Sequence, residues 1–406
     1  MKTLLISVGG SPDPIIKVLK EKKPEKVVFF TSQGSRTQVE EKILPEIGYF
    51  PTTGHVVTPD HEDVGKCTFE LLKNVPEEMR KLGVEKNWPE ICGYTGGTKA
   101  MSAAVVWAAS RHPCELIYVG GISREKEGIG IVKSGSEKIV CTENPWNQVA
   151  WYETALAREL FNRGQYANAA EIISSVRKRV TDSEAGRVLD WLKNMFEAFY
   201  AWDTFDHKKA NGQLGKTLKD QSLIQISRPE LKGFCEQSEV SLKFLKSIPP
   251  GKASSEMALD LLANAQRRAE LEHKYEDAVA RCYSATEKLA KVQLKDKWTI
   301  DNSKARLDQI PEVLRDEYRH YVEGGEVLKF GLKASFKLLA ELGDPMGIAY
   351  MKQEAENGKI LGQRNESILG HGSKPVDRKN FNAFFKMALS VAGVHRDDLI
   401  PFPRFS

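Results

Sequence analysis

The chain has 406 residues, enough for two or three domains with separate cores. Charged residues make up 28% and hydrophobic ones 41%, an ordinary globular balance, and a net charge of +4 does not by itself establish nucleic-acid binding. The six cysteines form no C-x-x-C pair, which leaves no visible zinc or redox motif.

Residues 1–145 alternate β-rich runs with helical patterns. Thr3–Val8, Lys26–Thr31, Gly54–Thr58, Ile91–Tyr94 and Glu115–Val119 read as strands. Pro14–Glu21, Arg36–Leu44, Asp63–Val75 and Met101–Ser110 read as helices. This alternation predicts an α/β, Rossmann-like domain with a parallel sheet, whose ligands gather at the carboxyl ends of the strands. The loops expected at that rim are Gly9–Asp13, Ser32–Arg36, Thr95–Lys99 and Gly120–Ser123, all rich in Gly, Ser or Thr. In Thr95-Gly96-Gly97-Thr98-Lys99 two glycines let backbone N–H groups converge, and the helix that follows adds partial positive charge. The turn suits a phosphate-bearing ligand, although it is neither G-x-x-x-x-G-K-[ST] nor G-x-G-x-x-G. The other reading is a tight strand–helix turn with Lys99 in solvent. Arg36 is likewise either a phosphate ligand or a solvated first-turn residue.

The string Tyr94-Thr95-Gly96-Gly97-Thr98-Lys99-Ala100-Met101-Ser102, placed after a fourth strand, resembles the ligand-loop signature of CARF domains, the CRISPR-associated Rossmann-fold sensors. The first strand runs into Gly9-Gly10-Ser11-Pro12-Asp13, where these domains carry their first ligand loop. The resemblance implies an activator, a cyclic oligoadenylate made by a type III CRISPR complex on detecting foreign RNA. It implies ligand contacts at Gly9, Gly10, Ser11, Ser32, Gln33, Arg36, Thr95, Gly96, Gly97, Thr98, Lys99 and Met101. Cyclic tetra-adenylate is the expected ring, and no other cofactor is expected. Slow cleavage of the ring by its own pocket is a further implication, although no spacing identifies a catalytic group for it.

Glu143-Asn144-Pro145-Trp146 reads as a boundary, because Pro stops the preceding pattern. Residues 146–250 read as an all-α linker region. Residues 155–170 resemble one tetratricopeptide hairpin without a second copy, and Trp191, Phe196, Phe199, Tyr200 and Trp202 read as core anchors. Ile248–Ser255 is a linker, and residues 251–406 are expected to form an all-α bundle. A long helix carries Leu271, Tyr275, Ala278, Cys282, Ala285, Leu289 and Val292 at heptad spacing, a seam for packing within the bundle or across a dimer. Val327–Leu342, Pro345–Gly358 and Phe381–Gly393 follow as helices.

Within the bundle, Gln363-Arg364-Asn365-Glu366-Ser367-Ile368-Leu369-Gly370-His371-Gly372 sets Arg364 and His371 seven residues apart, two helical turns on one face. Arg forks onto phosphate oxygens, and His transfers protons near neutrality. Together they suit metal-free RNA cleavage, with Asn365 orienting the phosphate or the imidazole. The alternative is a cation in a last helical turn, placed there for the helix dipole alone. The string resembles the R-x(4–6)-H motif of HEPN ribonucleases, whose domains are helical bundles. That resemblance implies catalytic Arg364, Asn365 and His371, no metal, attack by the 2′-hydroxyl and a 2′,3′-cyclic phosphate product. It also implies a homodimer in which both Arg–His sets form one composite site on single-stranded RNA, with the CARF domains paired over one ring. No stable DNA complex is expected. Three alternatives stand beside it. One is a metal-dependent nuclease using the E-x-K piece Glu230-Leu231-Lys232; the second is a cyclic-oligoadenylate sensor without nuclease activity; the third is a winged-helix regulator, for which residues 255–406 are too long and too uniformly helical. The apolar run at the N-terminus breaks at Gly9-Gly10, short of a signal-peptide core of ~7–15 residues. No stretch reaches the ~18 apolar residues of a membrane span. A cytoplasmic protein away from membranes is therefore expected.

Overall fold

Six strands form one sheet in the computed structural model, which describes residues 2–121, 137–144, 150–323, 327–357, 367–368 and 373–406. They are β1 (Thr3–Ser7), β2 (Lys26–Ser32), β3 (Thr52–Thr58), β4 (Ile91–Gly93), β5 (Glu115–Gly121) and β6 (Glu137–Glu143). The order is β3-β2-β1-β4-β5-β6; β1 to β5 run parallel and β6 is antiparallel to β5. Four helices accompany them: α1 (Asp13–Lys22), α2 (Arg36–Gln38), α3 (Val64–Lys81) and α4 (Lys99–Ala109), α2 running on into a π-helical turn at Val39–Ile43. The centres of β1 (residues 4–6) and β2 (residues 27–30) are apolar because both faces are covered. Leu4, Ile6, Val27 and Phe29 pack with Ile15 and Val18 on one face. Leu5, Val28 and Phe30 pack with Leu71, Met101 and Val105 on the other. β6 is not among the expected strands. It supplies a charged antiparallel edge, which discourages further strand pairing.

The chain divides into two units, residues 1–151 with 176–186, and residues 152–175 with 187–406. The second is built from helices and one small sheet. α5 (Trp151–Asn162) and α6 (Tyr166–Arg177) form the expected hairpin, turning at Gly164, whose φ of +80° favours glycine. α7 (Ser183–Asp203), α8 (His207–Thr217), α9 (Gln221–Ser227) and α10 (Lys232–Ser247) follow. Their core is aromatic. The Phe161 ring lies 4.8 Å from Phe196 and 5.5 Å from both Phe199 and Phe234. Trp191, Phe196, Phe199 and Trp202 are buried as expected, whereas Tyr200 is 45% exposed and anchors nothing.

The bundle that follows holds α11 (Ser255–Leu271), α12 (Tyr275–Trp298), α13 (Glu312–Tyr318), α14 (Leu332–Glu341), α15 (Pro345–Asn357) and α16 (Arg378–Ala392). The expected long helix is broken after Leu271, where His273 takes a φ of +56°. The seam therefore lies on α12, and Ala278, Cys282, Ala285 and Leu289 are buried in the bundle's own core with Phe381, Phe384 and Ala388 of α16. The expected helix from Val327 starts only at Leu332. Val327–Leu328 instead forms β9, the central strand of a small sheet with β7 (Ala305–Arg306) and β8 (Val322–Glu323). Glu230 stands in a short 3-10 turn that leads into α10, with no strand beside it. Among the described residues no helix is long and apolar enough to cross a membrane.

The tail returns to the aromatic core. Phe402 lies 4.7 Å from Trp202 and 5.0 Å from Phe199, and Phe405 stacks on Phe234 at 4.0 Å. Asn162 fixes the tail reciprocally, donating to the Phe405 carbonyl at 2.8 Å and accepting its N–H at 2.9 Å. Phe402→Ala should therefore destabilise the helical unit by about 3–5 kcal/mol, the usual loss for a buried ring. Urea unfolding followed by tryptophan fluorescence measures this, and an unchanged midpoint would mean the tail is not part of the core.

Candidate functional site

β1 pairs with β2 on one side and with β4 on the other, so chain order reverses between β1 and β4. In a parallel sheet such a reversal opens a crevice beyond the carboxyl ends of the two strands. The two chain exits here are the loops beginning at Gly9 and at Tyr94, and they meet backbone to backbone. A Cβ on Gly9 would stand 2.3 Å from the Gly97 nitrogen, and one on Gly96 would stand 2.2 Å from the Ser7 carbonyl oxygen. Gly97 has a φ of +85°. The glycines are needed for this close approach as well as for the turn.

The threonines hold the loop in place. Thr98 caps α4, accepting the Met101 N–H at 3.2 Å, and its hydroxyl donates to the His61 carbonyl. Both of its hydrogen-bonding roles are thus taken. Thr95 accepts the Val119 N–H at 2.7 Å, and its own proton has no acceptor among the described residues. Ser102 donates to the Gly96 carbonyl at 3.3 Å. Lys99 is exposed at the first position of α4 and has no hydrogen bond or ion pair among the described residues. Its charge adds to the helix's N-terminal dipole. Met101 is 1% exposed and packs beneath Gly97, in the core rather than on the crevice surface.

The other expected residues lie in two rim loops, after β1 and after β2. Gly10 and Ser11 are exposed. Ser32 is engaged with Ser35, their hydroxyls 3.1 Å apart. Gln33 and Arg36 are exposed, and neither side chain makes a hydrogen bond or ion pair among the described residues. The charge of Arg36 reaches His55 on β3. Burial, reinforced by that charge, holds the His55 imidazole below its ordinary pKa and neutral at pH 7. Gly120 and Gly121 close β5, while Ile122 and Ser123 lie outside the described residues.

One contributor was missed from sequence. The loop after β3, through the His61 carbonyl, holds Thr98. Its signal is the polar run Thr58-Pro59-Asp60-His61-Glu62-Asp63 at a strand's carboxyl end. Its acids are employed locally: Asp60 pairs with Lys66 at 2.9 Å, and Asp63 caps α3.

Arg364, Asn365 and His371 lie outside the described residues. Ser367 and Ile368 between them are described. Ser367 is buried and forms a lone β-bridge with Lys374, which departs from the continuous helix expected there. Downstream, the Val376 N–H donates to Glu276 of α12 at 2.9 Å, and Asp377 caps α16 by accepting from Asn380 at 2.7 Å. Among the described residues no group of three or more His, Cys, Asp or Glu gathers as a metal site.

Comparison with known proteins adds the following. Residues 150–245 match the Csm6 6H domain and residues 251–394 match the Csm6 HEPN domain, together more than half of the chain. The CRISPR system endoribonuclease Csm6 of Thermus thermophilus is 26% identical over 251 residues, 59% of this chain and 51% of the relative. The match thus spans about half the length of that curated relative. Enterococcus italicus Csm6, solved bound to cyclic hexa-2'-fluoro-hexa-dAMP, superposes with a TM-score of 0.58 at 14% identity, covering 98% of this chain and 96% of that one. At that identity the likeness is one of fold.

The backbone contact sets a paired expectation. Gly96→Ala forces a methyl group against the Ser7 carbonyl and should cost about 2 kcal/mol or more in urea unfolding. Gly10→Ala, with open space around its Cβ position, should stay within about 0.5 kcal/mol of the native protein. Equal effects would contradict the packed junction.

Proposed function

We propose that this chain, a member of the Csm6 family through its 6H and HEPN domains, is an endoribonuclease switched on by a cyclic oligoadenylate. Residues 1–145 act as the CARF sensor, 146–250 as the helical connection and 251–406 as the HEPN nuclease. The observation that carries the sensing half is the junction of the Gly9 and Gly96–Gly97 loops at the reversal between β1 and β4. Backbone N–H groups, the α4 N-terminus, the Thr95 hydroxyl and Lys99 suit the phosphates of a ring, with Gly10, Ser11, Ser32, Gln33 and Arg36 around them. Thr98 serves by shaping the loop. The Enterococcus italicus structure holds a cyclic compound of six nucleotides. Cyclic tetra-adenylate and cyclic hexa-adenylate are therefore the two activators to compare.

The nuclease half rests on Arg364, Asn365 and His371 within the residues that match the HEPN domain. In this reading the ribose 2′-hydroxyl gives up its proton as its oxygen attacks phosphorus. The 5′-oxygen leaves and takes up a proton, and the upstream fragment ends in a 2′,3′-cyclic phosphate. His371 moves the protons, Arg364 neutralises the crowded phosphate and Asn365 orients it. Two protomers supply the two Arg–His sets, so the active form is a homodimer acting on single-stranded RNA in the cytoplasm without metal. Activation requires the ring to bind the active arrangement more tightly than the inactive one.

Cleavage of a fluorescent single-stranded RNA in EDTA, with and without each ring, tests both halves. Ring-stimulated cleavage should survive EDTA and fall by about 10²–10⁴-fold in His371→Ala. Lys99→Ala should raise the ring concentration for half-activation by roughly tenfold or more, the worth of a charge-assisted hydrogen bond, and leave the maximal rate unchanged. Cleavage that needs metal and survives His371→Ala would overturn the nuclease assignment. Ring binding without cleavage would leave a sensor with another output.

A further inference from the structure

Arg267 is a buried cation with four of its five N–H donors unmet. It lies on α11 and is 8% exposed. Its Nε donates to Asp203 at 3.2 Å, and the Phe402 ring covers its guanidinium face, 3.7 Å from centroid to carbon. Nη1 and Nη2 are buried and have no hydrogen-bond partner. Asp203 is already shared, accepting from Asn264 Nδ2 at 2.9 Å and from Arg268. Donors of a charged group left unmet in the interior are costly, and proteins seldom leave them so without a use.

The same residue lines a cavity of about 290 Å³ between the α5–α6 hairpin, α11 and the tail. Phe161, Leu271, Ile400 and Pro403 make its apolar wall. Arg404 adds positive charge at the lining, Arg396 and Glu270 there are paired with each other, and Asp397 is exposed. Tyr166 also lines the cavity. It is 3% exposed, and its hydroxyl has no hydrogen-bond partner among the described residues.

We propose that this cavity binds a small organic anion, its oxyanion on Arg267 and its apolar body against Phe161 and Leu271. A guanidinium tethered at Nε and stacked on one face offers Nη1 and Nη2 as a fixed fork, the geometry that pairs with a carboxylate or a phosphate. The Tyr166 hydroxyl supplies a further donor. The volume lies at the low end of the ~300–1,000 Å³ usual for small-molecule sites, which selects a compact body such as one aromatic ring. The site is separate from the crevice beyond β1 and β4 and does not depend on the nuclease reading.

Titration calorimetry of the full chain with sodium benzoate and with phenyl phosphate, at matched ionic strength, tests this and distinguishes a carboxylate from a phosphate monoester. At least one of them should bind saturably. Tyr166→Phe, which removes only an oxygen, should weaken that binding about tenfold with an unchanged thermal melt, and Arg267→Gln should abolish it. Tyr166→Phe carries the test if Arg267→Gln fails to fold. Binding of neither anion, or binding that both variants leave intact, would overturn the proposal.

Discussion

The backbone contact between Gly9 and Gly97 is the constraint on which the loop rim of the parallel sheet depends. A side chain on Gly9 would part the loops that leave β1 and β4, and Gly97 is held to glycine by its φ of +85° and by Met101 beneath it. Once they touch, the rest of the rim is drawn in from one short turn. Thr95 takes the N–H of Val119 at the end of β5, and Thr98 takes the carbonyl of His61 beyond β3. The string Thr95–Thr98 thus fixes the exits of β1, β3 and β5 relative to β4. A ligand whose phosphates sit on this turn would act on four loops at once. A small preference for one loop arrangement could then become a preference for one arrangement of the whole sheet edge.

The helical unit shows a different economy. The residues that match the 6H domain and those that match the HEPN domain share a core, because the tail beyond residue 394 sends Phe402 and Phe405 into the rings around Phe161 and Phe234. Interiors packed this densely deform as bodies rather than residue by residue.

Much of this was legible in the sequence. The parallel sheet follows from Val, Ile and Phe runs separated by helical patterns, and the rim from Gly, Ser and Thr at each strand's end. Local roles were not. A threonine that caps a helix and a threonine that binds phosphate look alike, and only the His61 contact separates Thr98 from Thr95. The break between α11 and α12 carries no Gly or Pro; Glu272-His273-Lys274 reads as helix, and tertiary packing turns it. β6 follows β5 only after an intervening segment and pairs antiparallel, so the βα alternation gives no sign of it. Arg267 is one of many arginines until its surroundings show that two of its nitrogens lack partners.

The central claim is that the crevice at the β1–β4 reversal and the Arg364–His371 site share one equilibrium. Linkage makes that claim reciprocal: if the ring favours RNA-binding geometry, RNA must favour the ring by the same factor. The direct measurement is the affinity of a fluorescent cyclic oligoadenylate for the full chain, with and without a saturating RNA whose 2′-hydroxyls are methylated so that it cannot be cut. The account predicts tighter ring binding in the presence of the RNA, by about 5–150-fold, the range typical of such coupling. The same ring affinity with and without bound RNA would contradict it, leaving two sites that occupy one chain without communicating.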